Sequence, residues 1–145
     1  MKTYIARLFF TSFLLNFVWE ISQMPFYGET GMGLRDNYLE FLKIHWQVSL
    51  KDALMVVSVY LLIGFLLKNW EWPRGFNQGW TMLWISLPLW QVIIEYYSVY
   101  IVHRWAYAGM MPLIFGIGLL PILQMLILPT AAILFSAKKR ITSSS

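Results

Sequence analysis

The sequence predicts an all-α integral membrane protein, a four-span antiparallel bundle with a short amphipathic surface helix between spans one and two. Three observations lead there. Hydrophobic residues make up 59% of the 145 and charged residues 12%, whereas soluble domains average about 45–50% and about 25%. A compact domain of about 150 residues still exposes about 30% of its chain surface, so this much apolar area must face lipid. The apolar residues also fall into four stretches, each near the ~20 residues that cross roughly 30 Å of hydrocarbon. Residues 1–145 therefore read as a single membrane domain.

The first span covers residues 4–24. Lys2 and Arg7 ahead of an apolar run mimic a secretion signal, but no small-x-small cleavage site follows, and Asn16 and Glu20 interrupt its end. A retained helix ended by Pro25 is expected. "GETGMG" then reads as a turn region. In "DNYLEFLKIHWQV", Asp36, Glu40, Lys43 and Gln47 fall on one stripe at helical spacing. This predicts an interfacial helix over 36–48, lying along the membrane surface and roofing the bundle.

The second span, 50–68, opens on "SLKD", where Ser49 and Asp52 match a capping box. The third, 80–102, contains Pro88. The fourth, 112–137, contains Pro121 and Pro129, each of which bends a helix where it interrupts the backbone ladder. With both termini cytoplasmic, the inner side holds Lys2, Arg7, Lys68, Arg74, Lys138, Lys139 and Arg140. The outer side holds Arg35, Lys43, Lys51 and Arg104. That is the positive-inside bias, and a bacterial cytoplasmic (inner) membrane is the expected location.

Composition also excludes chemistry. The net charge of +4 gathers at span ends, which is topology rather than nucleic-acid binding. The absence of cysteine removes disulfides, thiolate nucleophiles and dithiol quinone chemistry. "FGIGLLP" lacks the strand and third glycine of a phosphate loop, and there is no HExxH, ExxH or G-x-S-x-G pattern. No metal and no cofactor are expected.

The informative feature is a polar stripe inside the spans. Asn16, Glu20 and Gln23 share one face of the first. Trp84, Pro88, Gln91, Glu95 and Ser98 share one face of the third, and Gln124 sits near the middle of the fourth. Lipid cannot satisfy these groups, so the faces should turn inward and meet. At about 1.5 Å per residue, Glu20 lies roughly 6 Å and Glu95 roughly 10 Å inside the outer ends of their helices. Two carboxylates sharing a pocket without a cation separate into one protonated and one ionised. Such a pair can give a proton at one carbon and remove one at another.

Four spans with inward carboxylates and abundant aromatics resemble the emopamil-binding and sigma-2 receptor group in architecture. Members of that group bind sterols or cationic amphiphiles, and some isomerise a sterol double bond by proton shuttling. "HRWAYAGMMPLIFGIGLLPILQ", with its Trp-x-Tyr and downstream proline, is similar to the span–loop–span of lycopene cyclase domains. There the proline precedes paired glutamates. Here Pro121 precedes Ile122, Leu123 and Gln124, so no residue is carried over.

The expectation is therefore a binder of a hydrophobic small molecule in an outer-leaflet pocket. An isoprenoid, carotenoid, sterol-like lipid or quinone would fit, with isomerisation or cyclisation by proton transfer as the chemistry. Glu95 is the expected main acid/base and Glu20 its partner. Asn16, Gln23, Gln91 and Gln124 would orient the ligand, Trp19, Trp84 and Tyr96 would face it, and His45, His103 and Arg104 would close over it. The rival is a non-catalytic subunit or assembly factor whose stripes hold a partner helix or a second copy. A small transporter is the third reading.

Overall fold

The computed structural model describes residues 2–28 and 38–138. Residues 29–33 of the expected turn, Arg35, the first two residues of the surface helix, and Lys139, Arg140 and the serine tail lie outside the described residues. Within them the chain forms four long helices: α1 (Lys2–Ser22), α2 (Tyr38–Leu66), α3 (Gln78–Tyr96) and α4 (Leu119–Lys138). Helices α1, α2 and α4 are long and apolar enough to cross a membrane. Helix α3 is comparable in length at 19 residues, but Gln78, Gln91, Glu95 and three tryptophans lower its hydropathy, and it does not join that set.

Each helix packs on its neighbours in chain order, and α4 closes the ring against α1. The helices alternate in direction, since Tyr4 at the start of α1 stacks on Tyr60 near the end of α2, with ring centroids 5.1 Å apart. Outward positions are apolar too: Phe10, Leu14 and Val18 on α1, Leu62 and Phe65 on α2, Ile85 and Leu89 on α3, Leu134 and Phe135 on α4. Facing inward are polar residues: Asn16, Glu20, Gln23, His45, Ser49, Gln91, Glu95 and Gln124 are all buried. This inverts the soluble pattern.

The structure corrects the sequence reading in three places. First, residues 38–48 are not a separate roof, because α2 runs unbroken for 29 residues. Ser49 does not cap a new start; its Oγ donates back to the His45 carbonyl at 2.7 Å, a bond that belongs inside a helix. Trp46 packs edge-on against Phe13 at 4.5 Å, so this part of α2 runs alongside α1.

Second, α3 ends at Tyr96 and widens into a π turn over Tyr97–Ile101. His103 then takes a left-handed backbone (φ 48), and the Arg104 amide donates to the Ser98 carbonyl at 2.7 Å. Together these fold the chain back over the bundle end.

Third, residues 112–118 are not helical. Leu113–Ile114 (β1) and Ile117–Gly118 (β2) pair antiparallel. Phe115 and Gly116 between them both have positive φ (50 and 82), the signature of a tight primed turn. Pro121 consequently falls in the first turn of α4, where its missing N–H leaves no bond unmade.

Candidate functional site

Near the C-terminal end of α1, three helices bring carboxylates to one small cavity. Glu20 of α1, Asp52 of α2 and Glu95 of α3 all line a space of about 70 Å³, together with Gln23, Tyr27, Gln91 and Trp105. Among the described residues, no Lys, Arg or His is ion-paired with any of the three. No group of His, Cys, Asp and Glu among them is arranged to hold a metal ion.

The stripe on α1 works through its helical spacing. Gln23 Nε2 donates to Glu20 Oε1 at 3.1 Å, one turn back along the same face. Trp19 Nε1 donates to Gln23 Oε1 at 3.1 Å, fixing which way that amide points. Across the bundle, Gln124 of α4 is the junction. Its Nε2 lies 2.8 Å from Asn16 Oδ1, 3.0 Å from Glu20 Oε1 and 3.2 Å from Asp52 Oδ2. One amide thus ties α4 to both α1 and α2.

Glu95 has a different environment. Oε1 accepts from Gln91 Nε2 at 3.2 Å and from the Tyr27 hydroxyl at 3.4 Å. Oε2 accepts from the Tyr107 hydroxyl at 2.6 Å and from Trp105 Nε1 at 3.3 Å. Four donors surround this group, and the Tyr107 contact has the length of a charge-assisted hydrogen bond. Burial and the neighbouring Glu95 hold both tyrosine hydroxyls well above their ordinary titration range, so they remain donors.

Two of those donors arrive on the folded-back connection between α3 and α4. Residues 106–108 are strapped to residues 26–28, just past α1: the Gly28 amide donates to the Ala106 carbonyl at 2.7 Å, and the Ala108 amide to the Phe26 carbonyl at 2.9 Å. Tyr27 and Tyr107 pair there as an isolated antiparallel bridge. The ring of Tyr107 lies over Gly118, where a Cβ would come within 2.9 Å of it. The cover over the carboxylates is therefore this connection rather than residues 38–48.

Of the residues expected at the site, Glu20, Gln23, Gln91 and Glu95 line the cavity. Asn16, Trp19 and Gln124 support it from behind. Arg104 is exposed and lines the larger groove next to it.

Four residues are placed elsewhere. Tyr96 points outward, its ring tilted against that of Tyr100 with centroids 5.5 Å apart, because the next residue along a helix is turned about 100° away. Trp84 lies roughly 16 Å down α3 from Glu95 by helical rise, and its Nε1 donates to Thr130 Oγ1 at 2.9 Å. His103 is exposed against its own helix end. His45 is buried, its ring nitrogens 2.8 Å from the Phe41 carbonyl and 3.0 Å from Met24 Sδ.

Sequence reasoning missed Asp52, Tyr27, Trp105 and Tyr107 as site residues. A signal existed for Asp52, since His45, Ser49, Asp52 and Val56 recur at helical spacing on one face. Trp105 and Tyr107 are the Trp-x-Tyr pair, noticed only as part of a resemblance. No family model, curated protein or solved structure matches the chain. The site is therefore read from its own geometry.

Proposed function

We propose that this chain is a four-span membrane protein with both termini cytoplasmic. It binds a hydrophobic small molecule at its outer end and moves protons on that molecule with a cluster of carboxylates. The observation that carries this reading is the convergence of Glu20, Asp52 and Glu95 on one cavity, with none of them ion-paired to a cation among the described residues. Three carboxyl groups around one small space repel one another when charged, and a proton held among them relieves that repulsion.

Their surroundings divide the labour. Glu95, with four donors on its two oxygens, is satisfied as a carboxylate and accepts. Glu20 and Asp52 share the amide of Gln124 and supply. In an isomerisation, the supplying carboxyl gives its proton to one alkene carbon while Glu95 removes a proton from another. The double bond shifts, one proton enters, one leaves, and no oxidant is required. A cyclisation begins with the same protonation. An isoprenoid, carotenoid, sterol-like lipid or quinone offers suitable carbons. A cavity of about 70 Å³ takes only the reacting segment, and the rest lies in the adjoining groove.

This reading is favoured over a subunit that holds a partner helix because the polar stripes already satisfy one another. Asn16, Glu20 and Asp52 meet Gln124, and Glu95 meets Gln91 and the folded-back connection.

The test is mass spectrometry of small molecules that co-purify with the detergent-extracted protein, followed by incubation in D₂O. A bound hydrophobic molecule that gains deuterium on carbon, with the gain abolished in a folded Glu95→Gln variant, is the expected result. A clean protein that retains nothing, or exchange unaffected by Glu95→Gln, would sink the proposal.

A further inference from the structure

Beside the carboxylate cavity lies a larger one of about 340 Å³, between α2 and the far end of α3. The two share the walls Val48, Asp52, Ile94 and Trp105, so whatever occupies the groove touches the border of the acid cluster. Ile93 and Tyr97, both exposed, complete an apolar wall that opens outward. The volume is at the low end of the about 300–1,000 Å³ typical of ligand pockets, which suits one chain rather than two.

Two cations flank this opening. Lys51 comes from α2 and Arg104 from the folded-back connection, and both are exposed. Among the described residues neither is ion-paired with a carboxylate. Arg104 is not there by accident of a loose loop. The left-handed backbone at His103 and the bond from the Arg104 amide to the Ser98 carbonyl turn the chain so that Arg104 and Trp105 stand opposite Val48 and Lys51.

Charge is therefore layered across a short distance: positive at the rim, apolar along the wall, acidic at the back. A cationic head would be repelled at the rim, and a neutral one would gain little from the two cations. An anionic head is attracted by the rim and repelled by the acidic back, which fixes both its place and the direction of its chain.

Resting on the reading of a membrane pocket, we infer that the groove takes a single-chain amphiphile with an anionic head group. The head sits between Lys51 and Arg104, and the chain lies along Val48, Ile94 and Tyr97. The carbons nearest the head pass Asp52 and Trp105.

The experiment is native mass spectrometry of delipidated protein in neutral detergent, offered oleate, oleyl alcohol, oleylamine and dioleoyl phosphatidylglycerol in separate runs. One oleate per chain is expected, retained at least tenfold better than the other three. The doubly neutralised K51Q/R104Q should lose at least tenfold of that retention, while the charge-preserving K51R/R104K keeps it. Both positions are exposed, and an unchanged elution profile checks that the fold persists.

Oleyl alcohol held as well as oleate would overturn the anionic head while leaving the hydrophobic pocket standing. Preference for oleylamine would overturn it by placing the head among the carboxylates. Preference for the two-chain lipid would overturn the single chain. Retention of none of the four would overturn this inference, while the pocket reading beneath it would still be decided by the molecule that co-purifies.

Discussion

The two ends of the bundle are built on opposite rules. At the end holding Tyr4, Tyr60 and the α2–α3 connection, aromatic rings fill the space. Trp72 is fully buried, with its ring 5.6 Å from that of Tyr60 and 5.5 Å from that of Trp80. Asn77 locks this corner: its Nδ2 donates to the Trp72 carbonyl at 2.6 Å, and its Oδ1 accepts from the Gly79 amide at 2.8 Å as the α3 cap. At the other end, amides, hydroxyls and carboxylates face one another around a cavity. One end is set by shape and the other by hydrogen bonds, so substitutions should register at the first as stability and at the second as ligand handling.

The largest expected effect is Trp72→Ala. Because Trp72 lies in a connection between helices, water is a fair reference for its unfolded state, and its removal should cost about 3–5 kcal/mol. Unfolding of the detergent-solubilised protein by added denaturant measures this. Next is Gly79→Ala, whose new Cβ would lie 2.5 Å from Trp72 Cε3. Overpacking of that kind costs about 1–3 kcal/mol on the same assay.

Gln124→Leu should cost less, about 1 kcal/mol for hydrogen bonds between helices. It should nevertheless reduce deuterium transfer to the bound molecule far more than it reduces stability. Should it instead destabilise as much as Trp72→Ala, the carboxylate end is scaffold and the contrast fails.

Tyr107→Phe is the mildest, about 0.5–1 kcal/mol, and it sharpens the contrast through pH. Tyr27 and Tyr107 titrate above their ordinary value of about 10 in the folded chain. Their contribution is thus fully present below about pH 10 and is lost as pH rises through the raised native values. Stability measured across alkaline pH should fall more shallowly in Tyr107→Phe than in the unaltered protein. An identical slope would mean that this hydroxyl does not sense Glu95.

Much of this arrangement was legible in residue order. The starts and ends of α1 and α4 lie close to the expected spans except where residues 112–118 form a hairpin. The i, i+4, i+7 spacing of Asn16, Glu20 and Gln23 placed that stripe inward, as did Gln91 with Glu95. What could not be read was anything set by contacts distant in sequence. The polar spacing over 36–48 matches that of a surface helix, yet Phe41 and His45 pack on Met24 and hold residues 38–48 in line with the rest of α2. The donors on Glu95 depend on a left-handed residue, His103, and on backbone bonds between residues 26–28 and 106–108. Local propensity contains neither.

The position of Gln124 has a consequence for how this protein behaves from moment to moment. An amide nitrogen carries two hydrogens, yet three oxygens, from Asn16, Glu20 and Asp52, lie within its reach. Glu20 Oε1 also accepts from Gln23 Nε2 at 3.1 Å, so it keeps a donor when Gln124 gives its two hydrogens to Asn16 and Asp52. One amide thus stands between three helices, so a change of partner at any of these oxygens is passed to α1, α2 and α4 through the same side chain.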